Sequence, residues 1–536
     1  MSLFKNRSEN RFGDLLFVNR TCEQNETYAL WGMDPRLFSW ICSLLIGLGF
    51  VLVYGSVLPN QPTRANYGGD GADFLAAMLT GGIPHPTGYP VYTLLGRLFL
   101  LLPISTPYFR VALLSAGLAS VAVTLAFHWV WRSASRQSGR LAWLAALTAA
   151  LAWGSSPMLW SQAVIVEVHA LQAVFLLAWL GWISALLAWG ERPVSVTGLV
   201  ALSFAAGVSL GNHLTILLML PAVGLAQFLA VRRGMPARLL LLQGMGLALG
   251  GLVYLYLPWQ ARGWPPVNWG NAQTWSGFWW MISGEPYQGL VFGASAGQWL
   301  ERSAAWGRQM WIQFSLPGLL IGGLGLMKAP TLKPEARLLS VWVFGIYSIF
   351  ALGYNTYDAL VYLIPAYLAF AVWVGQGAAF LWPLVWRGWP VGRSLGLVAL
   401  ALLLGRMLFT RGTVDPRPET AQADFAQSLL SQAPAGAFVL SSGDADSFPL
   451  WYYHFGLGQR PDVRVVVQPL TKFRWYQETL QKTYPDLVTP LLAERQDGGW
   501  ADQLVSLNPA RPVCHSFEAV DSAVQIGFTC QGGNVP

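Results

Sequence analysis

Two carboxylates stand three residues apart in the segment GGDGADF, at Asp70 and Asp73. Side chains at this spacing share one face if the segment is helical. A carboxylate held against an alcohol can remove its proton, so the pair suggests general-base chemistry. The alternative is a helix cap, with Asp70 as the N-cap and Asp73 in the first turn, where the helix dipole favours both. The spacing leaves both interpretations open.

A stiff turn follows in GIPHPTGYPVY, which contains His85 and Tyr89. Prolines flank His85 on both sides and restrict the backbone, so the imidazole is presented in a fixed direction. It would then contact a substrate together with Tyr89. The alternative is that the prolines shape a re-entrant turn and His85 only hydrogen-bonds within it.

Two later motifs carry further titratable groups, Glu167 in SQAVIVEVHALQ and His213 in SLGNHLT. A carboxylate near hydrocarbon costs several kcal/mol, so Glu167 is a functional candidate. On one helix Glu167 and His169 would point in different directions, and they are not expected to bind one ion. His213 would either contact substrate or fill a corner with hydrogen bonds.

A tryptophan-rich segment, residues 257–287, contains Arg262, Asn268 and Trp269. Aromatic surfaces with a few polar groups suit sugar rings and prenyl chains, and an arginine can pair with phosphate. The alternative is an interfacial helix anchored by tryptophan. No nucleotide-binding loop or serine-nucleophile motif occurs, which argues against a sugar nucleotide as the direct donor.

The elements that position these residues are membrane spans. Charged residues make up 11% of the 536 residues, against about 25% in soluble proteins. A helical crossing needs about 20 mostly apolar residues, and about eleven such runs occur between residues 37 and 410. They begin near Leu37, Tyr108, Leu141, Val164, Val194, Leu214, Leu239, Gln309, Leu338, Ala359 and Ser394.

Basic residues predict the orientation of these spans in the cell (inner) membrane. Cytoplasmic connections are rich in Lys and Arg. Those connections contain Arg132, Arg136, Arg140, Arg192, Arg232, Arg233, Arg238, Lys328, Lys333, Arg337, Arg387 and Arg393. The N-terminal segment 1–36 is then cytoplasmic, and the long loops 59–107 and 259–308 face outward. This inner bias explains the net charge of +7, so no nucleic-acid partner is expected.

The tail, residues 411–536, is predicted to be an extracytoplasmic α/β domain. A helix-like stretch, 421–430, precedes two apolar runs typical of strands, 437–440 and 464–467. Cys514 and Cys530 lie in this domain, where they would form a disulfide or remain separate thiols. The tail is expected to tune acceptor choice and to be dispensable for donor binding.

These motifs, in this order, resemble the bacterial members of the transmembrane protein O-mannosyltransferase-like family, formerly a domain of unknown function. The motifs are GGDGADF, GIPHPTGYPVYTLLGRLF, WSQAVIVEVHALQ, SLGNHLTIL, PPVNWGNAQTWSGFWWMISG and SSGDADSFPLWYYHFGLGQRPDVRVV. The resemblance implies a GT-C-type glycosyltransferase that presents an acidic first outer loop to a polyprenyl-phosphate sugar. It places the acidic residue of the family at Asp70, beside Asp73, and matches His85, Glu167 and His213 to family motifs.

The sequence thus predicts a polytopic α-helical, GT-C-like membrane enzyme. It would transfer mannose or another hexose from a polyprenyl-phosphate carrier to an extracytoplasmic protein Ser/Thr, lipid or polysaccharide. Asp70 would be the base, Asp73 would orient the acceptor or a metal, and Arg262 with His85 would meet the phosphate. No cofactor is assigned, and a divalent metal is left open. The alternatives are a flippase for lipid-linked sugar and a non-catalytic assembly factor.

Overall fold

The computed structural model describes residues 35–134, 139–191, 193–493, 499–520 and 524–531. Most of the predicted cytoplasmic segment 1–36 lies outside the described residues, as do Arg136 and Arg192 of the basic connections.

The body is built from α-helices that are joined by turns and two longer connections. In chain order they are α1 Pro35–Gly55, α2 Gly71–Thr80, α3 Pro90–Phe99, α4 Pro107–Ser133, α5 Gly139–Gly154, α6 Pro157–Ala163, α7 His169–Leu187, α8 Val196–Leu210, α9 Leu220–Arg232, α10 Ala237–Gly251, α11 Tyr256–Ala261, α12 Trp275–Ile282, α13 Ala296–Lys328, α14 Pro334–Gly353, α15 Ile364–Leu381 and α16 Val391–Thr413. Several begin at a side-chain cap. Thr106 accepts a hydrogen bond from the Phe109 N–H at 3.2 Å where α4 begins.

The predicted membrane fold is confirmed. Among the described residues, eight stretches are long and apolar enough to cross a bilayer, and α5 with α6 makes a ninth if the 63° bend between them is allowed. Two further apolar helices, α1 and α8, lie where the other two spans were expected. Each predicted span therefore corresponds to a helix. Helix α1, Pro35–Gly55, is long enough for a full crossing, whereas α8, Val196–Leu210, is short for one.

A partly buried arginine, Arg406, joins the last helix, α16, to the body. Arg406 donates hydrogen bonds to the carbonyl of Ala152 at 2.9 Å and to the hydroxyl of Ser155 at 3.0 Å. It also donates to the carbonyl of Gln313. Gln313 lies just before a break in α13 at Ser315, where φ is 54°. Helix ends and breaks leave carbonyl oxygens without partners, and the guanidinium satisfies them.

The basic connections meet at one end of the bundle. The Lys333 N–H donates to the Ser133 carbonyl at 3.3 Å, and Arg233 pairs with Glu191 at 3.0 Å. Because consecutive spans alternate in direction, the first long loop lies at the opposite end.

The tail is an α/β domain, as predicted. Its four-stranded sheet has the order β2–β1–β3–β4, with β1 parallel to β2 and β3, and with β4 antiparallel to β3. The strands are β1 Phe438–Ser441, β2 Arg464–Val467, β3 Val513–Val520 and β4 Val524–Gln531, and the helices are α17 Ala421–Gln432, α18 Asp444–Trp451, α19 Arg474–Thr483 and α20 Gly499–Ser506. Cys514 lies opposite Cys530, and the two form a disulfide.

The tail packs on the first outer loop. Helix α18 contacts α2 and the 3-10 helix Ala65–Asp70 that precedes it. Glu419, just before α17, accepts hydrogen bonds from the Thr63 hydroxyl at 2.6 Å and from the Arg64 N–H at 2.5 Å. The tail and the first loop therefore lie on the same side of the membrane.

This arrangement predicts the sidedness of reporter fusions. Alkaline phosphatase, which is active outside the cytoplasm, should be active when fused at residue 480 and inactive when fused at residues 137 or 235. Green fluorescent protein should give the opposite pattern. A fluorescent fusion at residue 480 would place the whole site on the wrong side.

Candidate functional site

The first outer loop turns sharply before it reaches Asp70. Within the 3-10 helix Ala65–Asp70, Asn66 and Tyr67 adopt left-handed conformations with φ of 61° and 65°. Asp70 directly precedes α2, yet its side chain makes no capping hydrogen bond. The helix-cap alternative is therefore not supported, and the Asp70 side chain, 44% exposed, lines a cavity.

Asp73 and His85 form a buried pair. The Asp73 carboxylate accepts hydrogen bonds from His85 Nδ1 at 2.7 Å, from the His85 backbone N–H at 2.9 Å and from the Trp269 indole at 3.2 Å. Its side chain is fully buried, so these donors replace the water that a carboxylate needs. His85 Nε2 lies 3.5 Å from Asp70. His85 thus does more than bond within its own turn.

The two long outer loops join beside this pair. The Ile83 N–H donates to the Val267 carbonyl at 2.9 Å, and the Trp269 N–H donates to the Ile83 carbonyl at 3.3 Å. Gly82 permits this approach, because a Cβ there would lie 2.2 Å from the Val267 oxygen. The junction brings the Trp269 indole to Asp73.

Three aromatic rings pack around the imidazole of His85. The ring centroids of Phe74, Tyr89 and Phe448 lie 5.1, 5.0 and 6.3 Å from it, and Phe448 stacks nearly parallel at 14°. Phe448 belongs to α18, so the tail forms part of the wall of the site. That the tail tunes acceptor choice and is dispensable for donor binding stays a prediction.

The cavity beside Asp70 is small and polar. It has a volume of about 30 Å³, enough for about one water molecule. Its lining residues are Tyr67, Asp70, Phe74, His85, Tyr89, Gln162, Glu167, Val168, His169, His213, Asp358, Val361 and Tyr362. The predictions for Asp70, His85, Tyr89, Glu167 and His213 thus converge on one place.

Glu167 and His169 both line this cavity, so the prediction that they point in different directions is wrong. Helix α7 begins only at His169, and Glu167 lies in the irregular turn before it. The Glu167 carboxylate accepts a hydrogen bond from the Val168 N–H at 3.3 Å.

His213 combines the two roles that the sequence left open. Its Nδ1 accepts from the Thr215 N–H at 3.2 Å and caps the following turn, while its ring faces the cavity. Because Nδ1 accepts a hydrogen bond, the ring is neutral and any proton lies on Nε2. Burial and the charge on His85 accordingly lower the pKa of His213 to about 4.

The environment of the cavity shifts the pKa values of the titratable groups that line it. Burial alone would lower the pKa of His85, but Asp70 and Asp73 outweigh it and raise the pKa to about 9. The enclosing walls raise the pKa of Asp70, and the charge on His85 acts against them. Burial, then Asp70, raises the pKa of Glu167 well above its usual value. At neutral pH we therefore expect a charged His85.

Four predicted site residues lie away from the cavity. The prediction that Asp73 orients the acceptor or a metal is wrong. Its carboxylate is enclosed by three hydrogen-bond donors, so it orients His85 instead. Trp269 contacts Asp73 and the tail aromatics. Asn268 is buried at the loop junction, and its amide has no hydrogen-bond partner among the described residues. Arg262 is exposed and lines a separate cleft with Gly81.

The described residues contain no obvious binding site for a divalent metal ion. Across the described part of the chain, no group of three or more His, Cys, Asp or Glu side chains is arranged to hold a metal ion.

Sequence reasoning missed three residues that complete the site. Tyr67 and Tyr362 line the cavity, and Phe448 covers His85. Tyr67 lies three residues before Asp70, but nothing in its sequence context distinguishes it. Asp358, which also lines the cavity, had a signal, since few acidic residues occur in the membrane body.

Two family models match the chain. "Protein O-mannosyl-transferase TMEM260 N-terminal domain" matches residues 70–234, and "TMEM260-associated domain 2" matches residues 422–496. Protein O-mannosyl-transferase TMEM260 of Mus musculus is 26% identical over 473 residues, which cover 82% of this chain and 65% of that protein. The chain thus spans slightly less than two thirds of that relative. The family resemblance predicted from the sequence is confirmed.

Two crystal structures of ArnT from Cupriavidus metallidurans share the fold. The apo form gives a TM-score of 0.56 at 14% identity, covering 92% of this chain and 98% of ArnT. The form bound to undecaprenyl phosphate gives 0.54 at 14% identity, covering 91% and 97%. The predicted GT-C-like fold is therefore confirmed.

The raised pKa of His85 predicts a pH-dependent stability. A histidine is half-protonated near pH 6.5 when unfolded and here near pH 9 when folded. Protonated His85 and its two aspartates therefore stabilise the folded state fully below about pH 6.5. This stabilisation is lost as the pH rises through about 9. The wild type should have a higher Tm than His85→Gln, and this difference in Tm should be largest at about pH 6. The difference should become smaller by about pH 9.5.

The control for this measurement is His454→Gln in the tail, where burial lowers the pKa of the histidine. Its Tm gap should stay constant between about pH 6.5 and about pH 9.5. A His85→Gln gap that does not change over this range would contradict the charged pair.

Proposed function

We propose that the chain is a membrane glycosyltransferase that moves a hexose from a polyprenyl-phosphate carrier to a hydroxyl group outside the cytoplasm. The observation that carries the proposal is the cavity at the end of the bundle where the tail packs. There a carboxylate without a capping role, Asp70, faces a charged imidazole that Asp73 holds in place.

The comparisons support this reading. The family model over residues 70–234 spans Asp70, His85, Glu167 and His213, and the name of the family states O-mannosyl transfer. An ArnT structure of the same fold was solved with undecaprenyl phosphate, which is the chemical class of carrier proposed. We propose mannose as the first sugar to test, and a protein Ser/Thr hydroxyl as the first acceptor. Lipid and polysaccharide hydroxyls are the alternatives.

The orientation follows from charge. The basic connections lie on the cytoplasmic side of the inner membrane, and the cavity and tail lie on the outer side. This places Asp70 where a carrier that faces outward could present its sugar.

In the proposed reaction the acceptor hydroxyl attacks the anomeric carbon, and the bond from that carbon to the phosphate oxygen breaks. Asp70 accepts the proton of the hydroxyl, because it lines the cavity, has a side chain that is 44% exposed and lies 3.5 Å from His85 Nε2. The departing phosphate gains negative charge, and His85 is the cation closest to Asp70 that could offset it. Glu167 lines the same cavity and could hydrogen-bond a sugar hydroxyl. Arg262 is a second candidate for the phosphate, from the neighbouring cleft.

Asp70→Asn tests the base. It keeps the size of the side chain and removes the basic oxygen, so sugar transfer should fall about 100- to 10,000-fold while the fold and donor binding remain. The assay is transfer of labelled mannose from polyprenyl-phosphate mannose to a Ser/Thr-rich peptide by purified protein in detergent.

Glu301→Gln is the matched control, since Glu301 is exposed on α13 outside the cavity. It should transfer at the wild-type rate. Near wild-type transfer by Asp70→Asn would make Glu167 the leading base. Wild-type protein that moves the lipid across liposomes without consuming it would favour a flippase, and protein that does neither would favour an assembly factor.

Asp73→Asn should lose less activity than Asp70→Asn but should change its pH dependence. The amide no longer stabilises the imidazolium, so the pKa of His85 should fall from about 9. The alkaline limb of the rate profile should move to lower pH, as measured by kcat against pH in the same assay. An unshifted alkaline limb would show that the charge on His85 is not needed for transfer.

A further inference from the structure

The mouth of the cavity is shaped by a strained segment of backbone. Asn66 and Tyr67 are consecutive non-glycine residues in the left-handed region. Such conformations are costly and persist only where surrounding contacts hold them. Here the Asn66 amide donates to the Val414 carbonyl at 2.7 Å, and the Asn66 carbonyl accepts from Gln162 at 2.7 Å. The strain places the Tyr67 side chain in the cavity wall.

Tyr67 is paired with an exposed tyrosine, Tyr357, from the loop that follows α14. The rings of Tyr67 and Tyr357 lie 5.9 Å apart at an angle of 49°. Tyr357 is 78% exposed, so its position is not explained by burial in the core. Its hydroxyl lies 3.9 Å from the place that a Cβ on Gly69 would occupy, one residue before Asp70. The exposed ring thus lies at the edge of the proposed reaction site.

A carboxylate accompanies the two rings. Asp358 follows Tyr357 and lines the cavity, and its side chain forms no hydrogen bond or ion pair within the described residues. A hexose presents apolar C–H groups on one face and hydroxyls around its edge. Aromatic faces suit the first, and a carboxylate accepts hydrogen bonds from the second. A flat apolar ligand would need no carboxylate, and a phosphate would be repelled by one.

We propose that Tyr67, Tyr357 and Asp358 form a binding platform for a pyranose ring at the mouth of the cavity, which positions a sugar beside Asp70. The cavity itself is too small for a hexose, so the ring rests at its entrance. The platform adds a sugar-binding site to the proposed function. It depends on that function only for where the bound sugar comes from. That source is the sugar of the donor or a sugar already attached to an acceptor.

The first experiment measures sugar binding without catalysis. Saturation-transfer NMR on the detergent-solubilised full chain uses methyl α-mannoside, methyl α-glucoside and methyl α-galactoside as probes. At least one should receive saturation at its ring C–H protons. The signal should persist in Tyr357→Phe, which keeps the ring, and fall about fivefold or more in Tyr357→Leu. Asp358→Asn should weaken the same signal.

The second experiment is the transfer assay on the same variants. Tyr357→Leu should raise KM about 5- to 10-fold with little change in kcat, whereas Tyr357→Phe should stay within about twofold of the wild type. A rise in KM for polyprenyl-phosphate mannose assigns the platform to the donor sugar. A rise only for a glycosylated acceptor peptide assigns it to the acceptor.

The control is Trp389→Leu, which removes an exposed aromatic ring from the turn before α16. It should change neither the NMR signal nor KM. Saturation that is unchanged in Tyr357→Leu, or absent for all three sugars in the wild type, would overturn the platform. Saturation that depends on Tyr357 in a protein that transfers no sugar would overturn the proposed activity and leave the platform standing.

Discussion

The site depends on one buried carboxylate. Asp73 is out of reach of water, so it must be satisfied by protein donors, and it draws three of them from two distant parts of the chain. His85 supplies two donors from the turn after α2, and Trp269 supplies one from the second outer loop. Satisfying this single group therefore fixes the direction of the imidazole and joins the loops. It leaves Nε2 of His85 aimed at Asp70.

The sequence was sufficient for the fold because membrane burial leaves a strong pattern. Long apolar runs are unambiguous, and most helices begin close to where hydropathy placed them. An exception is α13, which begins at Ala296 and not near Gln309, because its first turns carry charged residues. Asp70, His85, Glu167 and His213 were also recognisable, since titratable groups are rare at membrane depth and each stands in a distinct motif. Their rarity indicated a site before any contact between them was known.

The pairings between distant segments could not be read from the sequence. Asp73 and Asp70 look alike in GGDGADF, and only the approach of Trp269 from the second loop buries one and leaves the other open. Glu167 was placed on a helix because its surroundings are apolar, yet α7 begins two residues later. Phe448 and Tyr357 are ordinary aromatics in their own segments. Their positions depend on how the tail and the loop before α15 pack on α2 and its neighbours.

Arg406 has a consequence for how the chain is made. Helix α16 contacts the rest of the body only sparsely, with 6% of its most apolar window buried, and it carries a guanidinium in its outer half. A lone arginine makes insertion of a segment into the bilayer less favourable. The carbonyl oxygens that accept its hydrogen bonds belong to α5 and α13, which are synthesised earlier. Biosynthesis therefore favours an order in which these helices assemble first and then receive α16, which delivers the tail to the outer surface last.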